Sequence, residues 1–345
     1  MVLESFIEEN KMEVKNMPAV SVIIPVYNRE ECIEKTVTDI LNQTLNDIEV
    51  ICIDDGSTDQ TWNILSRLVK LDNRVCIFHQ ENQGAALARN LGICNAKGEY
   101  LFFLDSDDSL FEIDVLEKIY TTAKNHDANV CGGKLYIKKD DGFYLEKITE
   151  CESVGFVEFC DYQYDFYFTR YLYKTSFLKN NELFFPQRRI YEDPVFLLSV
   201  MMKAKVFYQT SIDVYIYNKC GRTDTVRTFT EKQLLEYITG VNHNLKIAVS
   251  NNLEKLQYCN FNVLRNEICP RIETLIPNIS KKTLRELIIS NSLLNTNTLK
   301  QYCEIEDDYL LYPISLIFST SKKYYSIMNN GVANIIKKFI RCIHR

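Results

Sequence analysis

Gly98-Glu-Tyr-Leu-Phe-Phe-Leu-Asp105-Ser-Asp107-Asp108 is the stretch on which the fold turns. Tyr100 to Leu104 is a short unbroken apolar run behind a glycine, the pattern of a strand buried on both faces of a parallel sheet. Three carboxylates follow at its C-terminal end, the edge at which open α/β sheets bind ligands. Carboxylates this close repel one another unless a cation joins them. Hard oxygen donors suit Mg²⁺ or Mn²⁺, and an ion so held can carry a diphosphate. A solvated acidic turn uses the same few residues, because Asp-x-Asp is short. The residues upstream decide between the two.

Upstream, strand and helix patterns alternate. Val20 to Ile24 is an apolar run ending at Pro25, and Ile33, Val37, Ile40 and Leu41 follow at helical spacing. Ile48 to Ile53 is a second apolar run. Ser57 and Gln60 have capping-box spacing before a helix carrying Trp62, Leu65, Leu68 and Val69. Val75 to Phe78 is a third strand and Ala85 to Ala96 a third helix. This alternation predicts a mostly parallel sheet with helices on both faces. Beyond Asp108 the pattern predicts a helix over 115–125, a strand at 129–132 and a hairpin turning at Asp140-Asp-Gly142. A helix over 192–202, strands at 206–208 and 213–217, and a wholly helical region from about Thr230 follow.

Composition narrows the class. The chain has 345 residues, a net charge of −6 and 46% hydrophobic residues, so no nucleic-acid surface is expected. Twelve cysteines are scattered without a Cys-x-x-Cys. With no secretory signal at the N-terminus, they read as reduced thiols of a cytoplasmic protein. No run approaches the roughly 18 apolar residues of a membrane span. The C-terminal segment 332–345 sets Ile335, Ile336, Phe339, Ile340 and Ile343 among Lys337, Lys338, Arg341 and Arg345. A basic amphipathic helix of this kind either packs on the protein or lies at the inner face of an anionic membrane.

Four polar loops fall at the C-terminal ends of four consecutive strands: Pro25-Val26-Tyr27-Asn28, Asp54-Asp55-Gly-Ser57, Gln80-Glu-Asn82-Gln-Gly84 and Asp105-Ser106-Asp107-Asp108. Together they build one crevice. Asp54 and Asp55 offer acceptors to a base N–H or to ribose hydroxyls, or else serve the turn. Arg89, on the third helix, is suited to grip a pyrophosphate through its forked donors.

These motifs, with Ala88-Arg89-Asn90, resemble family 2 glycosyltransferases of the GT-A fold. Order and spacing match over residues 19–110 and more weakly to about 228. The resemblance implies a GT-A domain over 18–228, preceded by an arm over 1–17 and followed by a helical extension over 229–345. Within the domain, 18–110 would hold the nucleotide and 111–228 the acceptor. The resemblance also implies roles. Pro25 to Asn28 contact the nucleoside, Asp54 or Asp55 the base and ribose, and Arg89 the base or diphosphate, with Asn82 and Gly84 in the same nucleotide-sugar site. Asp105 touches the ribose, with Ser106 beside it; Asp107 ligates the metal and Asp108 assists at the donor sugar.

An inverting displacement also needs a base for the acceptor hydroxyl. Tyr191-Glu192-Asp193-Pro194 resembles the family's acidic element at a helix start, which makes Asp193 the base and Glu192 a helper to the acceptor. Acids at a helix N-terminus also arise for dipole reasons alone. Lys219, Arg222 and Thr225 resemble a segment over the diphosphate. The aromatic stretch 156–173 is an acceptor platform or core packing. The implied reaction moves a sugar from a nucleoside diphosphate donor, UDP above others, to a saccharide or lipid-linked acceptor, with Mn²⁺ or Mg²⁺. Two other classes compete. A nucleotidyltransferase needs a Gly-rich basic loop after the first strand, and 25–29 has no glycine; a non-catalytic binding module would not need the metal carboxylates or the base.

Overall fold

The computed structural model describes residues 17–150, 153–163, 166–220, 229–268, 270–272, 279–294 and 299. Residues 1–16 of the expected arm over 1–17, Arg222, Thr225 and the basic segment 332–345 lie outside the described residues. The chain divides into two compact units, Met1–Thr223 and Asp224–Arg345.

In the first unit, strands Val20–Val26 (β1), Ile48–Asp54 (β2), Val75–His79 (β3) and Tyr100–Phe103 (β4) alternate with helices Ile33–Leu41 (α1), Thr61–Leu71 (α2) and Ala85–Asn95 (α3). The strands are parallel, in the order β3-β2-β1-β4. Side chains alternate across the sheet, so each face finds its own helices. Val22 and Ile24 pack with Ile33, Val37 and Ile40 of α1 and with Leu65 and Leu68 of α2. Ile23 points the other way, against Gly92 of α3.

β1 runs through Pro25, opposite Ile53, to Val26 rather than ending before it. The missing N–H is tolerated because the β4 pairing has already stopped at Ile23 opposite Phe103. The Ser57–Gln60 capping box does not form. Ser57 Oγ instead accepts from the Asn28 N–H (2.9 Å), and Asp59 Oδ1 accepts from the Thr61 N–H (3.0 Å). Trp62 is 37% exposed and meets His79 edge-on instead of joining the core.

Gly98 sits where β1 leaves no room for a side chain. A Cβ there would stand 2.5 Å from the Ser21 nitrogen, and the Gly98 N–H donates to Ser21 Oγ (2.8 Å). Gly98→Ala is expected to lower the unfolding free energy by about 1–3 kcal/mol through overpacking. A lower urea midpoint with an unchanged slope would show it.

Past Phe103 the sheet becomes mixed. Ser109–Leu110 (β5), Val130–Lys139 (β6), Gly142–Leu145 (β7), Gly155–Glu158 (β8), Tyr171–Lys174 (β9) and Val206–Asn218 (β10) complete it, with helices Val115–Asn125 (α4), Thr175–Asn180 (α5) and Glu192–Ala204 (α6). The strand order is β3-β2-β1-β4-β9-β6-β10-β5, with β7 on β6 and β8 on β10. β9 lies antiparallel to both β4 and β6. The two short strands expected over 206–217 are one strand. Its register against β6 shifts after Gln209 and again after Asp213, a bulged stretch that separates the two apolar runs. The ring of Phe103 packs against Phe168, Tyr173, Phe185 and Phe196, which seats α6 on the face that α3 also covers.

In the second unit, Glu231–Ser250 (α7), Glu254–Val263 (α8) and Lys281–Leu293 (α9) are helical. Thr230 and Gln233 form a reciprocal capping box at the start of α7. Buried Asn242 of α7 donates to the Glu286 carbonyl (2.9 Å) and accepts from Ser290 Oγ (2.6 Å), tying α7 to α9. No helix among the described residues is long and apolar enough to cross a membrane.

Candidate active site

Parallel pairing brings the loops of β1, β2 and β3 to one edge, where Val26, Asp54 and His79 lie side by side. Asn28 adopts a left-handed conformation (φ 50°). Its N–H donates to Ser57 Oγ, and its Oδ1 accepts from the Thr58 N–H (2.8 Å), so the first two loops are laced together. The Val26 carbonyl accepts from the Asp55 N–H (2.8 Å). Pro25 and Val26 are buried, whereas Tyr27 is exposed.

Neither Asp54 nor Asp55 presents an open carboxylate. Asp54, with no exposed side-chain surface, pairs with His79 Nδ1 (2.8 Å) and accepts from the Ser57 N–H (3.2 Å). Asp55 Oδ1 accepts from Gln80 Nε2 (2.7 Å) and the Gln83 N–H (2.8 Å), and its Oδ2 from the Gly84 N–H (2.8 Å). These acids shape the loops, which is the turn role the sequence left open. Gly84 has φ 98°, and the stem of Arg189 lies 3.3 Å from where its Cβ would be. Arg189 donates to the Asn82 carbonyl (3.0 Å) and to Asn82 Oδ1 (2.9 Å).

Arg89 does not reach out to a pyrophosphate. It is 3% exposed, and its guanidinium bridges Asp105 (Nη2–Oδ1 2.7 Å) and Asp193 (Nη1–Oδ1 3.0 Å). Burial opposes its charge, but Asp105, Asp193 and Glu192 together hold it above the ordinary arginine range. Through Arg89, 104 residues before Asp193, the bridge joins the Asp turn after β4 to the first turn of α6. Asp105 is thereby oriented toward Arg89.

The rest of the Asp turn is held from several sides. The Ser106 carbonyl accepts from Thr36 Oγ1 (2.8 Å), fixing it to α1. Asp107 faces the Arg29 guanidinium (3.4 Å). Asp108 is buried; Tyr215 Oη donates to its Oδ2 (2.7 Å) and the Asn218 N–H to its Oδ1 (2.8 Å). The Asp105 N–H donates to the same Tyr215 oxygen (3.2 Å). Burial and the neighbouring Asp105 charge push Asp108 up to about 8, against the pull of its bonds to Asn218 and Tyr215.

Asp105, Asp108 and Asp193 line a cavity of about 190 Å³ whose other walls include Phe166, Phe168 and Tyr217. Burial raises the Asp193 carboxyl; Arg89 pulls it down, and Glu192 and Asp105 push it up again. Its side chain is 35% exposed, so water moderates the rise. Glu192 is likewise raised by burial against the pull of Arg89. Such displaced carboxyls in a cavity are characteristic of functional sites.

Among the described residues no three His, Cys, Asp or Glu side chains converge on a metal position. The donor set nevertheless suits a hard cation that takes most of its ligands elsewhere. Asp107 already faces a positive charge, and burial first, then the charges of Asp105 and Asp107, makes a further negative charge at Asp108 unfavourable unless a cation joins the turn. One or two carboxylates plus substrate phosphates is the usual Mg²⁺-type arrangement.

Tyr215, Asn218 and Arg189 are the site residues that sequence reasoning missed as contributors. Their partners lie about a hundred residues away along the chain; Tyr215 and Asn218 stand in the stretch whose likeness points instead to Lys219, Arg222 and Thr225. Lys219 stands with its Nζ 5.5 Å over the Tyr217 ring, and its N–H pairs with the Lys138 carbonyl.

The sequence pattern of Glycosyl transferase family 2 matches residues 21–188. Glycosyltransferase GlyG of Streptococcus pneumoniae is 34% identical over 213 residues, covering 58% of this chain and 70% of GlyG. Poly(ribitol-phosphate) beta-glucosyltransferase of Bacillus spizizenii is 36% identical over 192 residues, 54% of this chain but 30% of that protein. In fold, the chain superposes on S. aureus TarS 1-349 in complex with UDP-GlcNAc with a TM-score of 0.58 at 18% identity, covering 81% of this chain and 82% of that one. With its carboxylate turn, its crevice of loops and these relatives, the chain belongs to glycosyl transferase family 2, and it is a glycosyltransferase.

Proposed function

We propose that the protein transfers a sugar, with inversion, from a nucleoside diphosphate sugar of the UDP class to a hydroxyl of a saccharide or lipid-linked glycan. The observation that carries this reading is the Asp105–Arg89–Asp193 bridge, which sets a raised carboxyl of α6 beside the Asp turn in one cavity. In the reaction the acceptor oxygen bonds to the anomeric carbon as the bond to the diphosphate breaks. Asp193 takes the acceptor proton, as a carboxylate of raised pKa is suited to do. Glu192 lies beside it on the same first turn and orients the acceptor. Pro25 to Asn28, with the loop 80–84 that Asp55 shapes, form the nucleoside end of the crevice.

Asp107 would hold Mn²⁺ or Mg²⁺ together with the donor's diphosphate oxygens. Such an ion neutralises charge developing on the leaving group. The aromatic wall faces the sugars, and Asp108 lines the same cavity with its carboxyl bonded to Tyr215 and Asn218. The TarS complex with UDP-GlcNAc and the beta-glucosyltransferase relative support a hexose-type donor.

The test is thermal stabilisation by UDP and GDP, each with and without Mn²⁺. A ligand at about 100 times its Kd adds roughly 2.7 kcal/mol to stability. A stabilisation that needs Mn²⁺ in the wild type and is lost in Asp107→Asn is the expected result. A wild type indifferent to every nucleoside diphosphate would remove this reading.

A further inference from the structure

We infer that Tyr215 and Asn218, at the end of β10, are positioning residues that give the Asp105–Asp108 turn the shape in which it takes a metal–diphosphate group; this rests on the function proposed above. The turn closes on itself through only one backbone bond, from the Asp108 N–H to the Asp105 carbonyl (3.1 Å). Arg89 holds the Asp105 carboxylate, Arg29 faces Asp107 and Thr36 fixes the Ser106 carbonyl; β10 supplies the bonds that link the turn's aspartates to one another. The Tyr215 hydroxyl both accepts from the Asp105 N–H and donates to Asp108 Oδ2. Asn218 adds its N–H to Asp108 Oδ1 and its Nδ2 to the Asp107 carbonyl (3.3 Å). One phenol and one amide therefore touch all three aspartates of the turn without lying in the cavity as ligands.

The arrangement is stiff on both sides. Tyr215 is buried, its ring lies 6.5 Å from that of Phe102 on β4, and Leu110 of β5 pairs opposite it. The chain leaving the turn is thus sewn to the same strand that supplies the phenol. Asn218 is itself fixed, since its Oδ1 accepts from the Cys220 N–H (3.2 Å). A turn held this way keeps Asp108 turned toward β10. Asp107, between the two clamped residues, is left as the acid whose carboxylate faces the Arg29 guanidinium. Site geometry held by supporting hydrogen bonds is what makes metal and phosphate recognition strong.

The measurement is the affinity for UDP, or for GDP if the wild type prefers it, by calorimetry in EDTA and in Mn²⁺. Tyr215→Phe keeps the ring and removes both hydroxyl bonds. It is expected to bind the nucleotide in EDTA as the wild type does and to lose about tenfold of the Mn²⁺-dependent gain, the scale of the two hydrogen bonds removed. Asn218→Ala keeps its backbone bond to Asp108 and should lose roughly threefold, the scale of a neutral bond; it decides the matter if Tyr215→Phe does not fold. Variants with the full Mn²⁺ gain would overturn the inference. So would an equal loss with and without metal, which a merely structural role would give. If the wild type shows no Mn²⁺-dependent nucleotide binding, the proposed function fails first, and this inference with it.

Discussion

Asp193→Asn is expected to lower kcat by roughly 10²- to 10⁴-fold, the usual contribution of a positioned general base, while leaving nucleotide affinity near that of the wild type. The amide has the same shape as the carboxylate, and its oxygen can still accept from Arg89 Nη1. What disappears is the ability to take the acceptor proton. The wild type should also show an acidic limb in kcat/KM, because only the ionised carboxylate is a base. Burial, Glu192 and Asp105 raise this group, so the limb is expected above the ordinary aspartate range near 3.9. Below it the rate falls tenfold per pH unit, and above it the rate levels off. Steady-state rates from pH 5 to 9 would check both points. A variant as active as the wild type would remove Asp193 as base, and the acid opening α6 would then be there for the helix dipole alone.

The parts of this site that are legible in the sequence are those encoded by short periods. The apolar runs 20–24, 48–53 and 100–104 mark buried strands, and the polar loops follow them directly, so the crevice and its Asp turn emerge from local pattern. Pairings made at long range do not read out. Arg89 reads as a fork for a pyrophosphate, yet the fold buries it between Asp105 and Asp193. Asp54 looks like an open acceptor until the register places His79 beside it. β9 is another such case. Its four residues lie antiparallel between β4 and β6, and a run so short carries no mark of direction. The break in β10 reads as two strands because the bulge interrupts its alternation.

Arg89→Met is expected to slow transfer by about 10²-fold, the effect of misplacing a catalytic group by roughly an ångström, and to shift the acidic limb upward. The guanidinium is packed over Phe168 (4.6 Å) and Phe185 (5.2 Å), so methionine can fill much of its volume. Removing one partner of a buried pair costs about 3–5 kcal/mol. Here the Asp105 and Asp193 side chains are 30% and 35% exposed, so water takes up part of the loss and about 1–3 kcal/mol is expected. The sign of the pH shift follows from the charge. Arg89 favours ionised Asp193; without it the carboxyl is harder to ionise, and a higher pH is needed to free the base. Arg89→Lys separates charge from geometry. A lysine keeps the charge but cannot span two carboxylates with a fixed fork. It should leave the limb near its wild-type position while kcat stays low. If Arg89→Met instead leaves the limb unmoved, Asp193 does not feel this charge during turnover, and the bridge serves only to hold α6 against the Asp turn.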